Sequence, residues 1–339
     1  MKKSHFSVIL FCLCFLCCTR NQNQNGLDVI NIDSAIDSLS PIKMSEIADE
    51  VNYIQLETVD SSLIGEAPRI KITEDRIIVN PRLKTGEFKV FDRKTGKFIC
   101  NVGHTGGDPQ AFDNDPMFWI DEFNRQIYFS NSSKTCYQIY DFDGLYKGKW
   151  SPEEDTLAMD VRNIFLLLSK NKIWIYNLMS TINSGRVICY DRKNDTMDYR
   201  LFANEDRNRV DDGSNMIYRT FGIDDPSVSY SNGTSSVIVN TNPSIYLHKN
   251  ELKMKETFVD TIYSIDDSGI KKPYMYFNLG KRHWPINEWK MTTASKGRFN
   301  IDYIYETDNL IYFSCTEDLY EFFTGSKKHM WDIIIRKMV

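Results

Sequence analysis

Histidines and paired acids are the residues most able to hold metals or move protons. Outside its first 26 residues the chain carries His104, His248, His283 and His329. No two stand at the HExxH spacing or in another close pair suited to one metal ion, so neither metal nor cofactor is expected. DFDG (141–144) opens like a calcium loop but lacks the next acid and the distal Glu. Asp and Gly there suit a tight β-turn. Asp113 with Asp115, and Asp224 with Asp225, have the residue types of a glycosidase pair, yet neighbouring loop acids are mostly solvated side chains. No GxSxG elbow offers a nucleophile. GHTGGDPQAF (103–112) is the most glycine-dense stretch, without GxxxxGK[ST] spacing and followed by the strand-like FWID. Its glycines read as turn positions. Local chemistry therefore favours binding over catalysis.

The elements that would position such residues are strands. The 339-residue chain is 42% apolar and 13% aromatic, enough for one large or two medium domains with a β preference. A net charge of −5 with interspersed signs gives nucleic acid no basic face. Short hairpins recur in IKITEDRIIV (70–79), FWIDEFNRQIYF (118–129), IFLLLSKNKIWIY (164–176) and YIYETDNLIYF (303–313). A third strand ending in an acid recurs in FKVFD, YQIYD, VICYD and TIYSID, closing on Asp92, Asp141, Asp191 and Asp266. A turn and a fourth strand follow. The closing acids lie 49 and 50 residues apart, then 75. The excess coincides with the polar stretch 203–233, which reads as an inserted loop. Four antiparallel strands per unit of about 40–50 residues is the pattern of a β-propeller blade.

The N-terminus has a signal's grammar: Lys2 and Lys3, then the apolar FSVILFCLCFL (6–16). Eleven residues fall short of a membrane span. Cys17 before Cys18 resembles a bacterial lipoprotein cleavage site, which implies a signal peptide over 1–17 and diacylglycerol on Cys18. An ordinary secretory signal, an uncleaved anchor and lipidation at Cys17 are the alternatives. Residues 18–44 then read as the lipidated cysteine and a flexible tether, and 45–339 as the propeller domain. Cys100, Cys136, Cys189 and Cys315 remain; exported proteins permit disulfides, and isolated strand cysteines more often pack as small hydrophobes.

Three stretches carry a wider resemblance: VNYIQLETVDSSLIG (51–65), VFDRKTGKFICNVGHTGGDPQAF (90–112) and ETFVDTIYSIDDSGIKKPYMYFNLGK (256–281). Together they resemble the NHL-like six-bladed β-propeller lipoproteins of glycan-degrading Gram-negative gut bacteria. The resemblance implies an all-β propeller whose N-terminal strand completes the last blade. About five blades are readable here. The tail 324–339 lacks the strand–turn–Asp pattern, and the last blade is expected to be incomplete. The resemblance also implies an outer-membrane lipoprotein tied to glycan binding or uptake. TRNQNQNG (19–26) has no acidic run, which favours the periplasmic face over the cell surface.

Alternating strands place the loop between second and third strands, and the link to the next blade, at the same end. That end collects Arg82, Lys84, His104, Asp108 and Asn131, with Arg219 and Asp224 from the long insertion. These are the candidate ligand-binding residues; the ligand would be a glycan or peptide, or an outer-membrane protein partner would dock instead, on a monomeric chain. A hydrolase or lyase with its site at the same mouth is the competing class. Trp119 and Trp174 at strand positions read as core, whereas Trp284 and Trp289 are open to either role.

Overall fold

The structure, a computed structural model, describes residues 13–15, 27–38, 40–82, 86–131, 136–152, 164–177, 187–201, 216–220, 226–231, 236–240, 244–255, 259–285, 297–317 and 329–336. The chain is all-β, with four-stranded antiparallel blades of the β-propeller type. It divides into two compact units, residues 51–203 and residues 1–50 with 204–339.

Strands are numbered along the chain: β1 (Leu13–Phe15), β2 (Asp28–Asn31), β3 (Arg69–Ile72), β4 (Arg76–Asn80), β5 (Phe88–Asp92), β6 (Phe98–Val102), β7 (Phe118–Asp121), β8 (Gln126–Asn131), β9 (Cys136–Asp141), β10 (Tyr146–Trp150), β11 (Ile164–Leu168), β12 (Lys172–Asn177), β13 (Val187–Asp191) and β14 (Thr196–Leu201). After these come β15 (Met216–Thr220), β16 (Pro226–Ser231), β17 (Ser236–Asn240), β18 (Ser244–His248), β19 (Glu251–Lys255), β20 (Thr261–Ile265), β21 (Lys271–Asn278), β22 (Phe299–Glu306), β23 (Leu310–Glu317) and β24 (His329–Arg336).

In the 51–203 unit, β3–β6, β7–β10 and β11–β14 form three up-and-down sheets. Their turns explain the repeated acids. Asp92 Oδ1 accepts the Lys94 and Thr95 amides at 3.1 and 2.8 Å. Asp141 Oδ1 does the same for Asp143 and Leu145 at 3.1 and 2.8 Å, and Asp191 Oδ1 for Asn194 at 2.8 Å. DFDG is therefore a turn. The first hairpin of each blade is closed likewise: Thr73 Oγ1 accepts the Arg76 amide at 2.9 Å, Asp121 Oδ1 that of Asn124 at 3.1 Å, and Ser169 Oγ that of Lys172 at 3.1 Å. Short polar side chains thus satisfy amides that the strand ladders leave over. The arginine after the closing acid reaches back to the first hairpin, Arg93 to the Thr73 carbonyl and Arg192 to that of Ser169, each at 2.8 Å. Arg192 also pairs with the fully buried Asp121 of the preceding blade and donates to Tyr128 Oη.

Aromatic side chains fill the space between these sheets. Phe88, Phe112, Phe118, Phe129, Tyr140 and Phe142 share one cluster with Ile78, Val90, Val102 and Ile127. Phe112 stacks on Phe129 with centroids 4.6 Å apart, and Phe88 meets Phe129 edge-on at 4.7 Å. Trp119, Tyr137, Tyr190 and the β11–β13 aliphatics form a second cluster. Trp119 and Trp174 are buried, so their core reading holds. Cys136, Cys189 and Cys315 are buried free thiols and Cys100 a half-buried one. Burial in apolar surroundings pushes the Cys100 thiol up to about 11.

Residues 51–59 form no strand, unlike the opening strand expected there. Leu56 packs against Ile77, Val79 and Phe91, while the Glu57 amide donates to the Gly96 carbonyl at 2.8 Å. Tyr53, 95% exposed, and Val51 and Leu63 face solvent.

The other unit corrects three expectations. Residues 28–38 are not a tether: β2 pairs parallel with β21, and a short helix α1 (Ile32–Ala35) follows. Ile30, Ile32 and Ile36 belong to the core that includes Phe277, Leu279 and Phe313. Within 203–233 lie β15 and β16, which pair with β17 in a three-stranded sheet. Polar residues around them make these strands read as a loop in the sequence. Within the tail 324–339, β24 pairs with β23 over eight residues, and β1 from the expected signal segment lies parallel to its far edge. Six sheets are present among the described residues, one more than the five blades readable in the sequence.

Candidate ligand pocket

The link from β6 to β7 begins by folding back on itself. Gly103 takes φ +65°, and a Cβ there would sit 2.2 Å from the Phe112 ring. Only glycine lets the buried Phe112 swing under the chain. The Phe112 amide donates to the His104 carbonyl at 3.1 Å, closing the loop. Asp108 Oδ1 accepts the Gln110 and Ala111 amides, and its Oδ2 meets His104 Nε2 at 2.7 Å. The His104 bond and the two amides hold the Asp108 carboxyl below its ordinary range. Three side chains of the next blade secure this loop. Asn131 Nδ2 donates to the Ala111 carbonyl at 2.8 Å, Gln138 Nε2 to that of Pro109 at 3.1 Å and Tyr140 Oη to that of Gln110 at 2.9 Å. His104, Asp108 and Asn131 therefore build the link.

The end of this link turns back against the first blade and encloses a cavity of about 370 Å³. Asn80, Arg82, Gly86, Thr105, Asn114 and Asp115 line it, with Phe88 and Pro116 as its apolar part. Arg82 and Asp115 are non-glycine residues at φ 53° and 52°. Such left-handed backbone costs of order 1 kcal/mol or more and concentrates at functional sites. Arg82 is held there by its amide, which donates to Asn80 Oδ1 at 2.9 Å. Asp115 Oδ1 accepts from Arg69 Nη2 and from Asn80 Nδ2, the latter at 3.0 Å. Its Oδ2 lies 3.6 Å from Arg82 Nη2. Arg69, with its side chain 9% exposed, backs the wall, whereas Arg82 and Asp115 reach solvent.

Among the candidate residues whose side chains are described, only Arg82 lines the cavity. Lys84 and Asp224 lie outside the described residues, as does Trp289. Arg219 belongs to β15 and its side chain is not described. Asp115 had been weighed as a catalytic acid; the geometry makes it the partner of two arginines. Arg69 and Asn80 were missed. Their only sequence signal is that both interrupt apolar strand ends.

In the other unit the corresponding loop and link meet at Asp260, before β20, and His283, after β21. Asp260 Oδ2 lies 2.5 Å from His283 Nδ1. The hydrogen bond with Asp260 raises the His283 pKa above its ordinary 6.5, against the opposing effect of burial. Trp284 beside it is buried. Farther away, Tyr246 and Tyr274 donate to buried Glu306 at 2.8 and 2.5 Å, and burial pushes both phenols well up. Among the described residues no cluster of three or more His, Cys, Asp or Glu has metal-site geometry. No described helix is long and apolar enough to cross a membrane.

Residues 27–337 match the family described as "Domain of unknown function (DUF4934)", and the chain belongs to it. No curated protein matches significantly. Among solved structures, a protein described as exported from Bacteroides fragilis is similar at 14% identity and TM-score 0.51, covering 84% of this chain and 75% of that one. A member of the DUF4221 family from Bacteroides vulgatus is similar at 10% identity and TM-score 0.49, with 80% and 78% covered. BamB from Moraxella catarrhalis is similar at 9% identity and TM-score 0.32, with 72% and 68% covered. At 14% identity the likeness to the Bacteroides fragilis protein is one of fold.

Proposed function

We propose that this member of the DUF4934 family is an exported, lipid-anchored binding module that takes the end of a glycan in the cavity of its first blade. One observation carries the reading: Arg82 and Asp115, both in left-handed backbone and paired at 3.6 Å, line a cavity of about 370 Å³. That volume lies in the range of small-ligand sites, and its mixture of Arg, Asn, Thr and Asp with Phe88 and Pro116 suits a ring bearing hydroxyls. The glycan class follows from the sequence resemblance alone. Export and the anchor on Cys18 rest on the signal-like residues 1–18, the outer membrane on the sequence resemblance, and its periplasmic face on TRNQNQNG (19–26) having no acidic run.

The full chain should bind glycans on a printed array and lose that binding when Arg82 is changed. Silence towards every glycan removes the reading. Labelled fatty acid should enter the intact protein and not its Cys18→Ser variant. A second reading, an enzyme, is supported by the His283–Asp260 pair, because an acid on Nδ1 orients an imidazole for proton transfer through Nε2. Turnover of a bound glycan, abolished in Asp260→Asn, would favour it.

A further inference from the structure

We infer that the group selected by this cavity is a carboxylate, carried by an acidic sugar and gripped by Arg82. The inference rests on the binding reading above and narrows it.

Two arginines share one described carboxylate at this cavity. Arg69, Arg82 and Asp115 contribute two positive charges and one negative. Asp115 Oδ1 is already occupied by Arg69 Nη2 and by Asn80 Nδ2 at 3.0 Å. Arg69 thus neutralises Asp115 from behind the wall. Arg82 stays 3.6 Å from Asp115 Oδ2, beyond hydrogen-bond length. Its guanidinium is thus ion-paired with Asp115 without a hydrogen bond to it, and 38% of the side chain is exposed at the cavity.

An arginine in this state has a chemical preference. Its planar fork presents paired N–H donors that match the two oxygens of a carboxylate. Its backbone is already immobilised by the Asn80 bond to its amide, so less freedom is lost on binding than from a flexible loop. A phosphate monoester carries about −1.5 to −2 at neutral pH and would bring excess negative charge beside Asp115. Asp115 Oδ2, Thr105 and Asn114 remain to meet ring hydroxyls, and Phe88 and Pro116 to meet the apolar face of the ring. The volume admits a sugar unit and excludes a folded partner.

Calorimetry on the full chain tests this with trigalacturonate and its methyl ester, which differ in charge and little else. The acid should bind at least about tenfold more tightly than the ester, the loss expected for a charge-assisted bidentate contact. Arg82→Ala should bind acid and ester alike, and Arg82→Lys should keep part of the preference. A melting curve for each variant establishes folding, and the acid–ester comparison on the unaltered chain needs no variant. If galacturonate is not taken, alginate, hyaluronan and heparosan fragments supply other uronates. Equal binding of acid and ester overturns the inference. So does discrimination that survives in Arg82→Ala, an equal preference for sulfated neutral sugars, or binding confined to neutral glycans. In that last case the binding reading stands; with no glycan bound at all, both fall.

Discussion

At one end of the blades between residues 69 and 201, each described turn is closed by its own acid or hydroxyl. Asp92, Asp141 and Asp191 cap the later hairpins, and Thr73, Asp121 and Ser169 the earlier ones. At the other end the partners are far apart in sequence: Arg69 and Asp115 by 46 residues, Asn80 and Asp115 by 35. The first end repeats because a turn asks the same thing of each blade. The second, where it is described, joins residues far apart in sequence, and there the left-handed arginine and aspartate line a cavity. Repetition marks the scaffold, and departure from it marks the candidate site.

The contrast predicts opposite responses to mutation. Asp121→Ala should be the most damaging change, because it strands Arg192, 12% exposed, without its buried carboxylate. A loss of about 3–5 kcal/mol in urea unfolding is expected. A loss below about 1 kcal/mol would mean that the capped end is not the stabilising one. Gly86→Ala comes next. With φ +69° and the Thr105 side chain 2.3 Å from the added Cβ, it should cost more than about 1 kcal/mol and block the cavity. Arg82→Ala should change stability by less than about 0.5 kcal/mol while removing the preference for the acid over its ester. A large stability loss there would erase the distinction between the ends.

The smallest effects are pH-dependent. The Thr95 hydroxyl and amide hold the Asp92 carboxyl below 3.8, so its contribution is present above that value and fades as pH falls through the lowered one. Carboxyl NMR titration should place Asp92 below an unpaired surface aspartate. For His283 the sign reverses. Its pKa is raised by Asp260, so the pair contributes fully below 6.5 and is lost as pH rises through the raised value. Asp260→Asn should return the imidazole titration towards 6.5 and flatten that dependence.

The capped end was legible in the sequence because its interactions span two to four residues. ITEDR, LSKNK and the acids closing the third strands spell out their own hydrogen bonds. The cavity was only partly legible. Alternation of strands placed Arg82 at the right end, but nothing local says that Asp115 answers to Arg69. His104 and Asp108 looked like binding groups because they are polar and on a loop; they bond to each other and to the loop backbone. The strands β15 and β16 were hidden by Ser, Asn and Asp around them, although MIYRT and PSVSYS carry an alternating pattern. HMWDIIIR lacks a closing acid and still forms β24, paired with β23 over eight residues.

The parallel pairing of β2 with β21 has a consequence in time. Most sheet partners are neighbours along the chain and can meet soon after they are made. Asn31 and Asn278, joined at 2.9 Å, are 247 residues apart, and Asp33 meets Arg282 across 249. The entropy of closing so large a loop grows only slowly with its length, but the first partner must wait for the second to exist. Until residues 271–278 emerge, Ile30 and Ile32 have no core to enter. This N-terminal clasp can shut only after most of the chain has been made, so its closure reports that the chain is nearly complete.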